Sequence, residues 1–464
     1  MLNDLKELLQ IESVMDKSEE GAPFGKNMRK TLDWFLEKAR SYGLKTQNMD
    51  GYCGFAEYGE GEKCIGILCH LDVVPAGDGW SYPPYDLSID NGFLYGRGVA
   101  DDKGPAIVCL HVLKKLKEEN IKLGCRVRLI VGCNEENGSQ CLKYYAGHGE
   151  IPTMSFVPDG DFPIVCSEKG ILHLKVTLLT DETLSSCVTS LSAGIRPNVV
   201  PDLAKVRFKK GSAAYEKIKN AYSKNGGNAV FKQPEIAEAI IGSGYNLDDF
   251  SARIFETEAE IETRGIAGHG STPEKGDNAI FKLFTVISAL LEGKSETAET
   301  VKKLFCSPLS AERLGIACKD EKSGALTVNF GIVDFENKKL CLTLDMRLPL
   351  CADKDDIIKK IMAALPASAK YEILNYTPNL YVDENGTLIK TLLQVYSSVT
   401  GEKPFVMRIG GGTYAKELPN AVAFGPTFLG AESCMHNADE KMKIEDFEKL
   451  FEIYYKAVIE LGKI

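Results

Sequence analysis

No two of the fourteen cysteines in this sequence are spaced Cys-x-x-Cys, which removes the zinc ribbon and the dithiol redox motif from consideration. Nor does any apolar run approach the roughly 18 residues of a membrane-spanning helix. The opening MLNDLKELLQIESV is amphipathic and does not read as the apolar core of a secretory signal. A positive balance is missing too: 55 Lys and Arg stand against 65 Asp and Glu, a formal charge of −10. Nucleic acid, which needs clustered cations, is therefore not an expected partner. No short repeat or low-complexity tract stands out. The loop Gly410-Gly411-Gly412-Thr413 has neither the G-x-G-x-x-G spacing nor the Walker lysine of a nucleotide site. What remains is a cytoplasmic protein without a membrane partner, whose cysteines serve as small buried hydrophobes in a reducing compartment.

The composition is that of an ordinary globular protein, 44% hydrophobic and 26% charged, in a chain too long for a single core. Its most informative stretch runs from Ile67 to Gly104, ILCHLDVVPAGDGWSYPPYDLSIDNGFLYGRGVADDKG. An apolar run that ends abruptly in His70-Leu71-Asp72 predicts a buried strand delivering its last residues to the open edge of a sheet, where sites collect. The chain returns through Gly96 and Gly98 to Asp101-Asp102-Lys103-Gly104 and there enters a helix. Two sets of nitrogen and oxygen ligands could then face one cavity.

Read in order, residues 1–43 carry two helical stripes that end at Gly43. Strands are expected at 52–58, 63–70, 126–132 and 154–157, and helices at 103–120 and 138–146. Strand and helix alternate, the grammar of a doubly wound α/β domain. After Lys169 the pattern changes to strict alternation (Leu172, Leu174, Val176, Leu178), which suits a sheet with one wet face. Helices at 213–224, 277–292 and 353–364 and strands at 204–208, 259–263, 326–335 and 340–347 make this part α+β. The α/β pattern resumes with a helix at 386–400, strands at 404–408 and 421–424, and a helix at 444–461. The expected fold is an α/β, doubly wound, phosphorylase/hydrolase-like catalytic domain built from residues 1–168 and 379–464, with an α+β lid domain, 169–378, inserted between. His111 is expected in a packing helix and His148 in a polar turn, neither at a site.

The pair HLDVVPAGDGW and GRGVADDKG resembles the cocatalytic zinc aminopeptidase and carboxypeptidase superfamily, which includes aminoacylase, succinyl-diaminopimelate desuccinylase and carboxypeptidase G. Order, spacing and length are most similar to the dipeptidase V group, the bacterial Xaa-His dipeptidases. A two-metal hydrolase needs about five His and carboxylate ligands, one of them bridging, and a further carboxylate to move a proton. The sequence supplies His70, Asp101, Glu135, Glu136, Asp159 and His436, all but the last just past predicted strand ends. The resemblance implies one metal on His70, Asp101 and Asp159, the other on Asp101, Glu136 and His436, with Asp101 as the bridge. It also implies Glu135 as the base and Asp72 as acceptor of a histidine ring N–H, fixing its tautomer. His269, in the segment Gly265-Ile266-Ala267-Gly268-His269-Gly270-Ser271-Thr272-Pro273, is similar to the family's oxyanion-stabilising histidine, with Gly268 where the family has Ala. Asn198 and Arg347 are implied as substrate contacts, Arg347 clamping a carboxylate. Gly411, Gly412 and Thr413 could offer backbone N–H groups to an anion at a helix start.

The activity so implied is hydrolysis of dipeptides, Xaa-His or beta-Ala dipeptides included, by a metallo-dipeptidase with two divalent ions. Zn²⁺ leads, and Mn²⁺ or Co²⁺ suit the same thiolate-free donors. An N-acyl-amino-acid amidohydrolase shares the metal set and stands second. A non-catalytic metal or peptide binding protein is the reading from another class, and Glu135 argues against it because metal storage has no use for a base. The insert, about 210 residues, is long enough to present His269 within its own chain, so a monomer is expected.

Overall fold

A computed structural model describes every residue except 226–229 and 432–433. The chain forms two compact units, Met1–Glu168 with Leu380–Ile464, and Lys169–Asn379. The first is built on a nine-stranded sheet whose main order is Lys45–Met49, Cys53–Gly59, Arg126–Gly132, Cys64–His70, Met154–Val157, Ala421–Ala423, Val165–Glu168 and Leu380–Tyr381. Its centre is parallel: Cys64–His70 runs alongside both Arg126–Gly132 and Met154–Val157, and Ala421–Ala423 continues in the same sense. All seven residues of Cys64–His70 are buried, and a strand covered on both faces is encoded by a continuous apolar run. Leu380 pairs with Glu168 in the last ladder, antiparallel.

Helices Lys103–Glu118, Ile444–Leu461 and Thr387–Thr400 pack in series, and Lys26–Ser41 lies on the strands Lys45–Met49 and Cys53–Gly59. The helix Leu2–Leu9 is tied in by Asp4, which accepts hydrogen bonds from Tyr42 and from Lys38 Nζ (3.2 Å) and lies 2.7 Å from His111 Nε2. Burial works against that carboxylate's charge, but Tyr42, His111 and Lys38 hold it at about 2. His111 is thus in a packing helix, as the sequence suggests.

The second unit carries an eight-stranded antiparallel sheet. Gly170–Leu179 alternates buried and half-buried residues along its length, the outcome its spaced leucines predict. The helix Ala279–Leu290, almost entirely buried, covers Leu203–Lys209 and Glu258–Arg264. The architecture is that of an α/β unit interrupted by an α+β one.

Three local expectations shift. The helix expected at 138–146 is Gln140–His148, because Ser139 takes a left-handed φ of 55° immediately before it. His148 consequently lies in the helix's last turn, stacked on Tyr144 at 4.0 Å, and not in a polar turn. The strand expected at 404–408 is Met407–Ile409, starting beyond Pro404, which has no N–H to give a ladder. No helix among the described residues is long and apolar enough to cross a membrane.

Candidate metal centre

Three neighbouring parallel strands end side by side, and what leaves their carboxyl ends is acidic. His70 is the last residue of Cys64–His70, Glu135 and Glu136 come after Arg126–Gly132, and Asp159 comes after Met154–Val157. Asp101 stands on the turn that opens the helix Lys103–Glu118. That turn is tight: Gly98 has φ 93°, and a Cβ on Gly104 would strike the Val99 carbonyl, so glycine is what lets the helix begin so close to Asp101. His436 comes from the C-terminal part of the chain in a left-handed conformation, φ 66°.

These residues form two triads, His70 with Asp101 and Asp159, and Asp101 with Glu136 and His436. Within each, the ligand-type atoms lie no more than 4.8 Å apart. Asp101 is common to both, its Oδ1 2.8 Å from His70 Nε2 and its Oδ2 3.0 Å from His436 Nε2. His436 Nε2 is also 3.1 Å from Glu136 Oε1. The His70 side chain is fully buried, whereas that of His436 is 53% exposed.

The electrostatics show what such a cluster needs. His70 Nδ1 lies 3.0 Å from the Asp72 backbone carbonyl, so the ring donates there and leaves Nε2 a lone pair. That Nε2 is buried without a hydrogen-bond partner among the described residues, yet it faces a carboxylate oxygen. Two lone pairs held at such a distance call for a positive charge between them, a proton in the metal-free site or a metal ion in its place. The titrations agree: burial and the neighbouring Asp101 push Asp159 up to about 7, and burial pushes Glu135 well above the carboxylate range with Asp159 and Glu136 adding repulsion. His436 rises to about 10 beside Asp101 and Glu136. Asp101 alone among these acids goes down, since His436 and His70 outweigh its burial. Acids held neutral and histidines held charged mark an excess of negative charge, which nitrogen and oxygen donors in this number would share with divalent cations. The residues present therefore fit a pair of metal ions.

Asp72 requires a correction. Its backbone carbonyl, not its carboxylate, takes the His70 ring N–H, and the carboxylate lies 3.6 Å from that nitrogen. The fully buried carboxylate instead accepts the backbone N–H groups of Glu135 and Glu136, each at 3.0 Å. The loop turns its amides toward Asp72, leaving the carbonyl nearer the imidazole. A second correction concerns Thr413. Both its N–H and its hydroxyl donate to Glu168, at 3.0 and 2.8 Å, so the loop's anion is a buried side chain of the protein itself. Beyond Thr413 the chain makes only a single 3-10 turn, Tyr414–Glu417.

In the second unit, the segments around Asn198 and His269 are paired. Val199 is in register with His269 and Val200 with Gly268, and the Gly270 N–H donates to the Asn198 carbonyl at 2.8 Å. The Ser271 N–H donates to His269 Nδ1 at 3.1 Å, so in the neutral ring the proton sits on Nε2. Burial and the nearby Arg347 lower the pKa of His269 and favour that neutral form. Arg347 is nearly buried and donates through Nε and Nη2 to Asp345 Oδ2, at 3.1 and 2.9 Å.

Several buried charged groups in the first unit have partners that sequence reasoning did not foresee. Asp102 Oδ2 accepts the His70 N–H at 3.0 Å, and Lys103 Nζ donates to the carbonyls of Leu8 and Ile11. Glu440 is wholly enclosed by the segment 97–101. Nothing in its polar surroundings, His436-Asn437-Ala438-Asp439-Glu440-Lys441, distinguishes it from a solvated surface residue.

A doubly wound sheet that gathers two His-carboxylate triads around one shared aspartate at its carboxyl edge defines an α/β protein with a candidate two-metal centre. Residues 66–460 match the model of Peptidase family M20/M25/M40. The chain is 34% identical over 473 residues to the Bacillus subtilis protein YtjP, spanning 100% of this chain and 97% of that one. It is 30% identical over 470 residues to the beta-Ala-Xaa dipeptidase of Lactobacillus delbrueckii subsp. lactis, covering 100% and 96%. The chain belongs to peptidase family M20/M25/M40. The crystal structure of human carnosine dipeptidase 1 is similar in fold, with TM-score 0.58 and 15% identity over 100% of this chain and 96% of that one.

Proposed function

We propose that the protein is a metallo-dipeptidase whose first unit binds two divalent cations, one on His70, Asp101 and Asp159 and the other on Asp101, Glu136 and His436. The observation that carries this reading is Asp101, whose two oxygens lie 2.8 and 3.0 Å from two different histidine nitrogens. Bound cations would supply Lewis acidity and a water of lowered pKa. Glu135 belongs to neither triad, and its carboxylate is the group to take a proton from the attacking water and return it to the leaving amine. His269, with its proton on Nε2, is a donor for the developing oxyanion. Arg347 and Asn198 are the contacts for the substrate's carboxylate. Gly411 and Gly412 remain backbone donors in this reading, and Thr413 does not, because Glu168 occupies it.

Zn²⁺ is the metal we favour, with Mn²⁺ and Co²⁺ suited to the same donors. Dipeptides, beta-Ala-Xaa and Xaa-His among them, are the substrate class, supported by the name of the Lactobacillus relative. We also take the protein to be a cytoplasmic monomer, which size-exclusion chromatography with light scattering tests by returning the mass of one chain. The decisive experiment measures bound metal by elemental analysis alongside kcat/KM for dipeptides, their C-terminal amides and N-acyl amino acids. Two ions per chain with dipeptides preferred is the expected result. Full activity with at most one ion contradicts the two-metal reading, and turnover confined to N-acyl amino acids replaces dipeptidase by amidohydrolase.

A further inference from the structure

We propose that Glu440 is a positioning residue for the candidate metal centre, a buried carboxylate that fixes the His436 loop against the Asp101 turn. The inference rests on the assignment of His436 and Asp101 as metal ligands. Glu440 Oε1 accepts three backbone N–H groups from that turn, Gly98 at 3.1 Å, Ala100 at 2.9 Å and Asp101 at 3.2 Å. Its Oε2 accepts Arg97 Nη1 at 2.8 Å, and both side chains are 1% exposed. Amides converging on one oxygen make a nest for an anion, and here the chain supplies the anion from 340 or so residues further on. The backbone continues the connection: the Gly96 N–H donates to the Glu440 carbonyl, and Lys441–Lys443 pairs antiparallel with Phe93–Tyr95. Next to it, Asp439 Oδ1 accepts the Ser81 N–H at 2.7 Å.

With both oxygens committed, Glu440 is not itself a ligand, and it stands in neither triad. Its effect falls unequally on them. Asp101 has a second anchor, because the next residue, Asp102, accepts the His70 N–H and begins the helix through the Ala106 N–H. His436 is half exposed, and among the described residues Glu440 joins its segment to the Asp101 turn, while Asp439 meets Ser81 and Lys441–Lys443 pairs with Phe93–Tyr95. Loss of the Glu440 carboxylate should therefore loosen the His436 triad and spare the His70 triad.

The test is Glu440→Gln, which keeps the size but turns an amide N–H₂ toward either Arg97 or the three N–H groups. Metal-free wild type, Glu440→Gln and His436→Ala are titrated with Zn²⁺ alone by calorimetry. Expected is a weakening of one of two equivalents by about 10- to 100-fold, the scale for outer partners of metal ligands, with the other equivalent within about twofold. Should Glu440→Gln yield no folded protein, Glu440→Asp, which keeps the charge but cannot span both sets of partners, is read in the same way. If His436→Ala weakens one equivalent while the Glu440 variant binds both as wild type does, the positioning role is wrong and the ligand reading survives. If both equivalents weaken together, the residue supports the fold generally and the proposal also fails. If His436→Ala leaves both equivalents unchanged, the ligand reading itself is overturned.

Discussion

Asp72→Asn is an isosteric change that separates two accounts of one buried carboxylate. In the structure each carboxylate oxygen accepts one N–H at 3.0 Å, from Glu135 and from Glu136. Asparagine keeps one acceptor and turns an N–H₂ group against the other amide. A hydrogen bond to a charged group, roughly 1.5–3 kcal/mol, becomes a neutral one of roughly 0.5–1.5, and a buried donor left unmet adds roughly 1–3. The sum is about 2–4 kcal/mol, on the order of 10 °C in Tm for a unit of this size. Removing a negative charge from an acid-rich pocket acts in the opposite sense, so unfolding is monitored with Zn²⁺ bound. Displacing Glu135 also loses on the order of 10²-fold in kcat, the usual consequence of a misplaced catalytic group. The His70 ring N–H is held by the backbone carbonyl of residue 72, which the substitution does not touch. Metal titration should therefore show the His70 triad intact and the Glu136 triad weakened. Wild-type Tm and kcat in Asp72→Asn would refute the amide clamp. A titration matching that of His70→Ala would return the carboxylate to the imidazole.

Glu135→Gln should retain both metal ions by elemental analysis and lose about 10²-fold or more in kcat, the scale for a general base; activity near wild type removes it from that role. Asp4 is held at about 2, below the ordinary value of 3.8, so it stabilises the folded chain above pH ~4 and ceases to do so as pH falls toward 2. Asp4→Asn should accordingly lower the urea midpoint near neutral pH, and its deficit against wild type should close between pH 4 and 2. A deficit that stays constant over that interval would show that the ion cluster with Lys38, His111 and Tyr42 is not its source.

The sequence made the catalytic sheet readable because strands buried on both faces leave an unbroken apolar run that stops where the chain meets solvent. The strand-end positions of His70, Glu135, Glu136 and Asp159 were legible for that reason, while their grouping as ligands and base came from the family resemblance. Alternation made Gly170–Leu179 equally plain. What stayed hidden depends on side chains meeting across long intervals of chain. The partners of Asp72 are amides on a different loop, Thr413 is satisfied by Glu168, and Glu440 meets Arg97 across 343 positions. A threonine after a glycine run reads the same whether its N–H awaits a ligand or already meets a buried carboxylate. Helix boundaries slipped where Ser139 adopted a left-handed turn that its residue type does not announce.

The pairing of Leu380 with Glu168 gives the chain a modular grammar. The strands on either side of the interruption are hydrogen-bonded neighbours in one ladder, so the catalytic sheet sees the whole inserted unit as the loop of a hairpin. Closing such a loop costs little more when it is long than when it is short. Insertions between adjacent termini are the kind that folds accept most readily. The insert can therefore change in length and surface without disturbing the strand ends that carry the triads. The insert can be lengthened, shortened or exchanged by engineering as a cassette on a constant sheet.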